Sequence, residues 1–267
     1  MFVINESREI KLLETIRHFF YAISLRTVLI ALMSVAATKA CELLGVVGEM
    51  PTSLIGLAVV FPLVFSINAS FQRRDQALNE YGSINAHLAS LLFAHKSWLK
   101  GAEVKDENEP NDLRPLILNF LKLMKDDLTN MSSTREMKAD IYKTFSSISS
   151  KNEKFIDAGM FDTHSLVSSW LSEIMKSYEV LSNISDYRTP VALRAYSKVF
   201  LNMFPILFAP YFAVLNSEIN FMGYLVAIIY SVVLVMLNNI QDNVENPFDN
   251  MGLDDIDLDK ENRIRDI

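Results

Sequence analysis

The sequence predicts an all-α membrane protein with four transmembrane helices in two hairpins and a helical cytoplasmic region between them. Half of the 267 residues are hydrophobic and the mean hydropathy is positive, which is high for a soluble domain. Only 8 glycines and 8 prolines are present, which favours long helices over a many-turned β structure. Four apolar stretches lie in two close pairs, and each approaches the roughly 20 residues needed to span a bilayer.

The first pair of apolar stretches follows an amphipathic N-terminal segment, and together they make up residues 1–72. The two spans are expected at 27–47 and 52–71. Only a few residues separate them, including Pro51, so we expect them to form a helical hairpin.

The second pair occupies residues 196–239. A span that begins near Val199 is joined by the short polar turn "NSE" to the last span, at 219–237. The two pairs are separated by a polar region, residues 73–195, and an acidic tail follows at residues 240–267.

Lysine and arginine flank both hairpins but do not occur in the short turns inside them. Arg26 precedes the first span, Arg73 follows the second and Lys198 precedes the third. Positive residues favour the cytoplasmic side of a membrane. We therefore expect a multi-pass protein of the cell inner membrane, with both termini and region 73–195 in the cytoplasm. A soluble α protein with four buried helices remains the alternative.

Region 73–195 shows the spacing of helices rather than the alternation of strands. One long set of apolar residues recurs at helical intervals and shares a face: Leu166, Trp170, Ile174, Tyr178 and Leu181. Such a stripe needs a partner. It could pack against three kinds of surface: other stripes of the same region, the helices near the membrane, or another subunit.

Composition and motifs also limit the function classes. The net charge is -7 without a dense basic block, so nucleic acid is not an expected partner. The single cysteine excludes a disulfide framework and a cysteine zinc site. His87 and His95 share a predicted helix, but no acidic residue completes a metal-ligand pattern beside them. With no glycine-rich phosphate loop or nucleophile elbow, the sequence predicts neither an enzyme nor a cofactor or metal.

The acidic tail contains candidate cation-binding residues, namely Asp254, Asp255, Asp257 and Asp259. Carboxylates bind Ca²⁺, but this run lacks the glycine and spacing of an EF-hand, and such runs are commonly solvated. Apolar residues interrupt the acids. We expect Ile256 and Leu258 to pack against a neighbouring surface while the acids stay solvated.

Three segments resemble the bestrophin family, in the right order and spacing relative to four spans. "LVFSINASFQR" is similar to the signature at the end of that family's second span. "YRTPVALRAY" resembles the segment leading into the third span, and "NIQDNVENPFDNMGLDDIDLD" the stretch after the last one. Together they cover nearly the full chain, and the resemblance is greatest to the compact bacterial branch.

The resemblance implies a homopentameric channel that conducts chloride or other monovalent ions through a central pore with a hydrophobic neck. It places the neck on Leu57, Phe61 and Phe65, and the pore mouth on Ser66, Asn68 and Arg73. The three neck positions also recur at i, i+4 and i+8, so they share a helix face. From spacing alone, that face has two alternatives, a pore or a surface covered by lipid or a neighbouring span.

The sequence departs from the family pattern near the pore mouth and in the tail. Arg74 and Asp75 replace a tryptophan pair, and Ser66 replaces an arginine. In the tail, "NMGL" interrupts the acidic run that grips calcium in animal members. Ion preference and calcium activation therefore do not follow from the resemblance.

Two other functions remain open at this stage. One is a membrane scaffold or binding protein with a sealed, non-conducting neck. The other is a transporter. That class usually shows repeat symmetry and broken midplane helices in both halves, whereas the two hairpins here are separated by a large insert and show no clear mirrored pattern.

Overall fold

The computed structural model describes residues 24–49, 52–99, 112–130, 134–187, 191–250 and 255–259, with the side chains of 52–60, 191 and 193 left out. This part of the chain is built from α-helices and contains no strand, as the sequence predicts. The helices are α1 (Leu25–Leu44), α2 (Thr52–Ser97), α3 (Arg114–Thr129), α4 (Arg135–Asn152), α5 (Lys154–Asp157), α6 (Phe161–Asp186), α7 (Val191–Leu207), α8 (Ala209–Glu218) and α9 (Met222–Glu245).

The helices form two compact units. The first unit comprises Met1–Ser70 and Thr189–Asp242, and the second comprises Phe71–Arg188 and Asn243–Ile267. The sequence predicts the acidic tail, residues 240–267, as a segment of its own. In the structure its described residues from Asn243 onward belong to the second unit, and Phe248, Ile256 and Leu258 enter the core of that unit.

Three helical stretches in the described part of the chain are long and apolar enough to cross a membrane: Leu25–Leu44, Arg194–Glu218 and Met222–Glu245. They lie where the first, third and fourth spans are expected. The second expected span, 52–71, forms the beginning of α2. The side chain of Leu57 lies outside the described residues, as does the amphipathic segment before residue 24.

Polar side chains join the helices of the first unit. At the start of α1, the Ser24 hydroxyl accepts from the Thr27 N–H and the Thr27 hydroxyl accepts from the Ser24 N–H. Farther along, the Ser34 hydroxyl donates to the Pro205 carbonyl at 2.6 Å. In lipid every backbone polar group needs a partner within the protein, and these contacts supply such partners.

The third expected span is interrupted. α7 ends at Leu207 and α8 begins at Ala209, with Pro205 before the break and Pro210 after it. Proline has no backbone N–H and clashes with the preceding helical turn. Two prolines this close explain why the span is made of two helices.

Gly223 allows a close approach between α8 and α9. Its N–H donates to the Asn216 side-chain oxygen at 2.8 Å, and the Tyr224 N–H donates to the same oxygen. A Cβ at Gly223 would lie 1.9 Å from the Phe212 carbonyl oxygen. Only glycine therefore fits this turn without displacing backbone.

The second unit has a large apolar core. It combines the later part of α2 with α3, α4 and α6, and fully buried residues from each helix meet there: Leu88, Ile117, Phe120, Phe145, Ile174 and Tyr178. Of the predicted α6 stripe, Ile174, Tyr178 and Leu181 are buried while Leu166 is exposed. The apolar stripes of this region are thus partners for one another.

Two polar pairs are buried in this second core. The Tyr178 hydroxyl donates to Asp127 Oδ2 at 2.9 Å, and burial raises the pKa of Tyr178 above its usual range. His95 Nε2 lies 2.8 Å from the Asn152 side-chain oxygen, and burial lowers the pKa of His95. In each pair, the hydrogen bond between the two side chains compensates both of them for the loss of contact with water.

Candidate functional site

Two of the three neck candidates, Phe61 and Phe65, lie on an exposed face of α2. Phe61 and Phe65 are each 57% exposed, and their rings meet edge to face with centroids 4.7 Å apart. Helix α2 runs through this region although Pro62 lies inside it. The two phenylalanines therefore form one aromatic surface that no other helix of the described chain covers.

The opposite face of α2 is packed against the chain's own helices. Leu63 is buried with Leu201 of α7 and Leu234 of α9. Ser66, fully buried, accepts a hydrogen bond at 2.7 Å from the Gln241 side-chain amide. These contacts fix which face of α2 points away from the protomer.

Of the three predicted pore-mouth residues, only Asn68 lies on the exposed face. Ser66 does not, because at about 100° per residue it is roughly 140° around the helix from Phe61. Ser66 directly follows Phe65 in the sequence, but neighbouring residues of a helix point in different directions, so this adjacency does not place Ser66 on the face of Phe65. The structure places its hydroxyl inside the protomer, against Gln241.

Arg73 is also turned away from that face. Its guanidinium donates to the carbonyl of Ile184 at 2.8 Å and to the carbonyl of Tyr187, both at the end of α6. Partial burial lowers the pKa of Arg73 from its usual value. This arginine therefore holds the end of α6 and does not project from the face that carries Asn68.

The exposed face of α2 continues below the phenylalanines with polar residues. Counting from Phe61, one line of exposed positions recurs at intervals of four, three, four, three and four residues: Phe61, Phe65, Asn68, Gln72, Asp75 and Asn79. Other exposed residues lie beside this line: Val64, Phe71, Gln76 and Leu78. We call the line that starts at Phe61 the seam. An alternation of four and three is the spacing by which one face of a helix follows a common axis. Sequence inspection with a period of four alone finds only the beginning of the seam.

Residues 255–259 of the tail form a short segment, here called the strap, in which two buried apolar side chains alternate with acids. Ile256 and Leu258 are 5% and 6% exposed, as expected, and the Tyr81 hydroxyl donates to the Leu258 carbonyl at 2.7 Å. Asp257 is exposed, whereas Asp259 pairs with Lys125 and is not purely solvated. Asp254 lies outside the described residues.

Asp255 is partly buried at the start of this strap. Within the residues that the structure describes, no three histidine, cysteine, aspartate or glutamate side chains are grouped to hold a metal ion. Residues 255–259 are thus packed onto the second unit through apolar side chains, the hydrogen bond from Tyr81 and the ion pair of Asp259 with Lys125.

Comparisons with known proteins give one matching family model and several solved structures with a similar fold. The sequence model described as "Bacterial/Fungal Bestrophin protein" matches residues 1–266. A crystal structure of a bacterial bestrophin homologue from Klebsiella pneumoniae has a TM-score of 0.71 and 19% identity, covering 88% of this chain and 92% of that one. A variant of the same homologue with isoleucine replaced by alanine gives 0.72 and 19%, with 88% and 92% coverage.

A third structure, described only as a membrane protein, has a TM-score of 0.72 and 20% identity, covering 90% of this chain and 94% of the other. A comparison with curated proteins gave no significant match. The chain has a bestrophin-like fold over nearly its full length.

Proposed function

We propose, because this chain belongs to the bestrophin family, that it forms a homopentameric channel for chloride or other monovalent ions. Bestrophins are ion channels and not enzymes. The observation that carries the proposal is the seam of α2, which is uncovered by the described helices, begins with two phenylalanines and continues with polar side chains.

The composition of the seam fits a surface that faces a central axis shared by several subunits better than one that faces lipid. A face directed at lipid would stay apolar along the membrane, whereas this one changes from Phe61 and Phe65 to Asn68 and Gln72 within two turns. In a ring of subunits, each seam position appears once per subunit around the axis. The aromatic part then forms a narrow neck, and the polar part lines a wider, wet path.

Leu57 belongs to the neck in this proposal because it lies one helical turn before Phe61. Apolar constrictions gate pores by losing water, so a neck of leucine and phenylalanine permits gating without a charged gate. A four-span subunit has too few helices to enclose a polar path on its own, which is why the proposal requires an oligomer.

We place the protein in the cell inner membrane with four spans, both termini and residues 73–195 in the cytoplasm. The lysine and arginine distribution supports this orientation. Residues 1–72 then hold the first two spans, 196–239 the last two, and the tail, 240–267, is cytoplasmic as well. Calcium at Asp254, Asp255, Asp257 or Asp259 is not part of the proposal, because apolar burial of the strap already explains how the tail is held.

The decisive experiment records single-channel currents from the purified protein in planar bilayers. Phe61→Ala and Phe65→Ala should each raise the current or hold the pore open, because the neck becomes wider and easier to wet. Phe71→Ala is a matched control. It removes the same ring from an exposed position of the same helix, about 80° around from Phe61, and should leave the current unchanged.

Equal currents from all three variants would contradict the neck. A complete absence of current, also in Phe65→Ala, would favour a scaffold with a sealed neck over a channel. The mass of the detergent-purified protein tests the assembly separately, and a monomer or dimer as the sole species would contradict the ring.

A further inference from the structure

The face of α2 that points into the protomer holds the stretch with the neck phenylalanines in place. Leu63 packs there against Leu201 and Leu234, but apolar contacts have no preferred direction, and lipid removes the hydrophobic drive between helices. Among the described residues, one side-chain hydrogen bond joins residues 61–70 to another helix. In it the Ser66 hydroxyl accepts from the Gln241 side-chain amide at 2.7 Å. This bond therefore fixes how α2 is turned about its own axis.

Two features make α2 easier to bend on either side of that bond. Pro62 lies inside the helix one turn before Ser66, and a proline removes a backbone hydrogen bond and kinks a helix. One turn after Ser66, the Ser70 hydroxyl donates to the Ser66 carbonyl at 3.1 Å, and serine side chains that bond their own helix in this way often bend it. Phe65 lies between the two features, so its direction depends on what holds Ser66.

The bond to Ser66 does not satisfy the whole amide of Gln241. The residue is 1% exposed, and its Oε1 atom has no hydrogen-bond partner among the described residues. A buried polar atom without a partner costs free energy that an apolar side chain of similar size does not. We therefore expect leucine at this position to stabilise the fold as well as glutamine does. What the amide adds is the direction of its bond to Ser66.

We infer that Gln241 is a positioning residue for the neck, because its bond to Ser66 holds the Phe65 ring in the direction that narrows the pore. The inference rests on the proposed function, since it needs Phe65 to face the shared axis. Ser66 lies about 100° around the helix from Phe65, so Gln241 acts from behind the helix and does not line the pore. Without the bond, the stretch between the two bends can turn, and the ring leaves the axis for part of the time.

The test combines single-channel recording in planar bilayers with thermal unfolding of the same full-length variants. Gln241→Leu and Ser66→Ala each remove the bond, and each should raise the mean current by about twofold or more, a size typical of coupling between residues in contact. The double variant should raise it no further, because both changes remove the same contact.

The thermal midpoint separates positioning from a structural role. The midpoint of Gln241→Leu should equal or exceed that of the wild type, since leucine leaves no unpaired amide and the Ser66 hydroxyl can donate to a carbonyl of its own helix. In a Phe65→Ala background, Gln241→Leu should not change the current, because the ring that Gln241 positions is absent.

Asn239→Leu is the matched control. It replaces an amide of the same helix, whose described bond goes to the Ser24 hydroxyl before α1 at 3.2 Å, and it should leave the current unchanged. A rise as large as that of Gln241→Leu would overturn the inference.

Three further results would overturn the inference while leaving the proposed channel in place. These are wild-type currents in both Gln241→Leu and Ser66→Ala, additive effects in the double variant, and a lower thermal midpoint for Gln241→Leu, since the amide would then hold the fold. A lack of current in both wild type and Phe65→Ala would overturn the proposed function, and the inference with it.

Discussion

The two units of this molecule bury their apolar side chains to different extents. In the first unit, small clusters around Leu63 and Phe212 are buried, but many other leucines and phenylalanines lie on the outside of the helices. Buried polar contacts such as Ser34 to Pro205 and Gln241 to Ser66 join these helices. In the second unit, Phe120, Ile174 and other apolar residues fill one continuous core. Lipid removes the hydrophobic drive between helices, so close approach and internal hydrogen bonds replace it.

This difference means that the same substitution should act differently in each unit. A large-to-small change should be most costly where water drives burial. A change that adds volume at a close contact should be most costly where helices meet through small residues. The predictions below test this contrast in order of expected effect.

Phe120→Ala should have the largest effect on stability. Phe120 is fully buried and its ring packs against Phe145 and Tyr178, so we expect a loss of about 3–5 kcal/mol in the free energy of unfolding. Leu32→Ala in α1, where the side chain is 61% exposed, should change it by less than about 1 kcal/mol. Chemical denaturation in detergent measures both, and equal losses would break the contrast between the units.

Gly223→Ala should be the most harmful small change in the first unit. The added methyl group meets the Phe212 carbonyl at 1.9 Å, and we expect a loss of about 1–3 kcal/mol from this overpacking. Gly82→Ala is the control. No atom lies within 4 Å of its added Cβ, so better helix propensity should stabilise the protein by up to about 1 kcal/mol. The thermal unfolding midpoints of the two variants should move in opposite directions.

Much of this architecture follows from helical periodicity. Ile174 and Tyr178 of the apolar stripe are buried as its spacing predicts, and Phe61 and Phe65 share a face as i and i+4 residues must. The roles of Ser66 and Arg73 could not be predicted in this way. Their partners, Gln241 and Ile184, lie 175 and 111 residues along the chain, and no local pattern specifies pairings over such separations. Counting 100° per residue would nevertheless have excluded Ser66 from the Phe61 face.

Tyr178→Phe tests a buried polar pair within the apolar core. The change removes one hydrogen-bond donor to Asp127, which is 2% exposed, and should lower the free energy of unfolding by about 1–3 kcal/mol. Tyr142→Phe provides the comparison, because Tyr142 donates to Glu179 at an exposed site, and this hydrogen bond raises the pKa of Tyr142 to about 12. Loss of the Tyr142 hydroxyl should lower the free energy of unfolding by less than about 0.5 kcal/mol. A larger cost for Tyr142→Phe would contradict the assigned burial.

His95 should give the smallest effect, and it depends on pH. Burial lowers the folded-state pKa of His95 below 6.5, so the folded protein binds fewer protons than the unfolded chain between those two pKa values. Stability should therefore fall as the pH drops below 6.5. The thermal midpoint of His95→Gln should fall less over this range. His87→Gln, altered on the same helix but at a less buried position, should follow the wild type, and identical curves for all three would contradict the prediction.

The strap at the tail has a consequence for how the protein is made. Tyr81 receives its carbonyl partner from Leu258, 177 residues later, and Lys125 pairs with Asp259 across 134 residues. During synthesis on the ribosome, the core around Tyr81 stays incomplete while α7, α8 and α9 are being translated. The apolar side chains that Ile256 and Leu258 cover in the finished protein lack that cover until these two residues emerge, and transiently exposed apolar surface is what makes a nascent chain prone to aggregation.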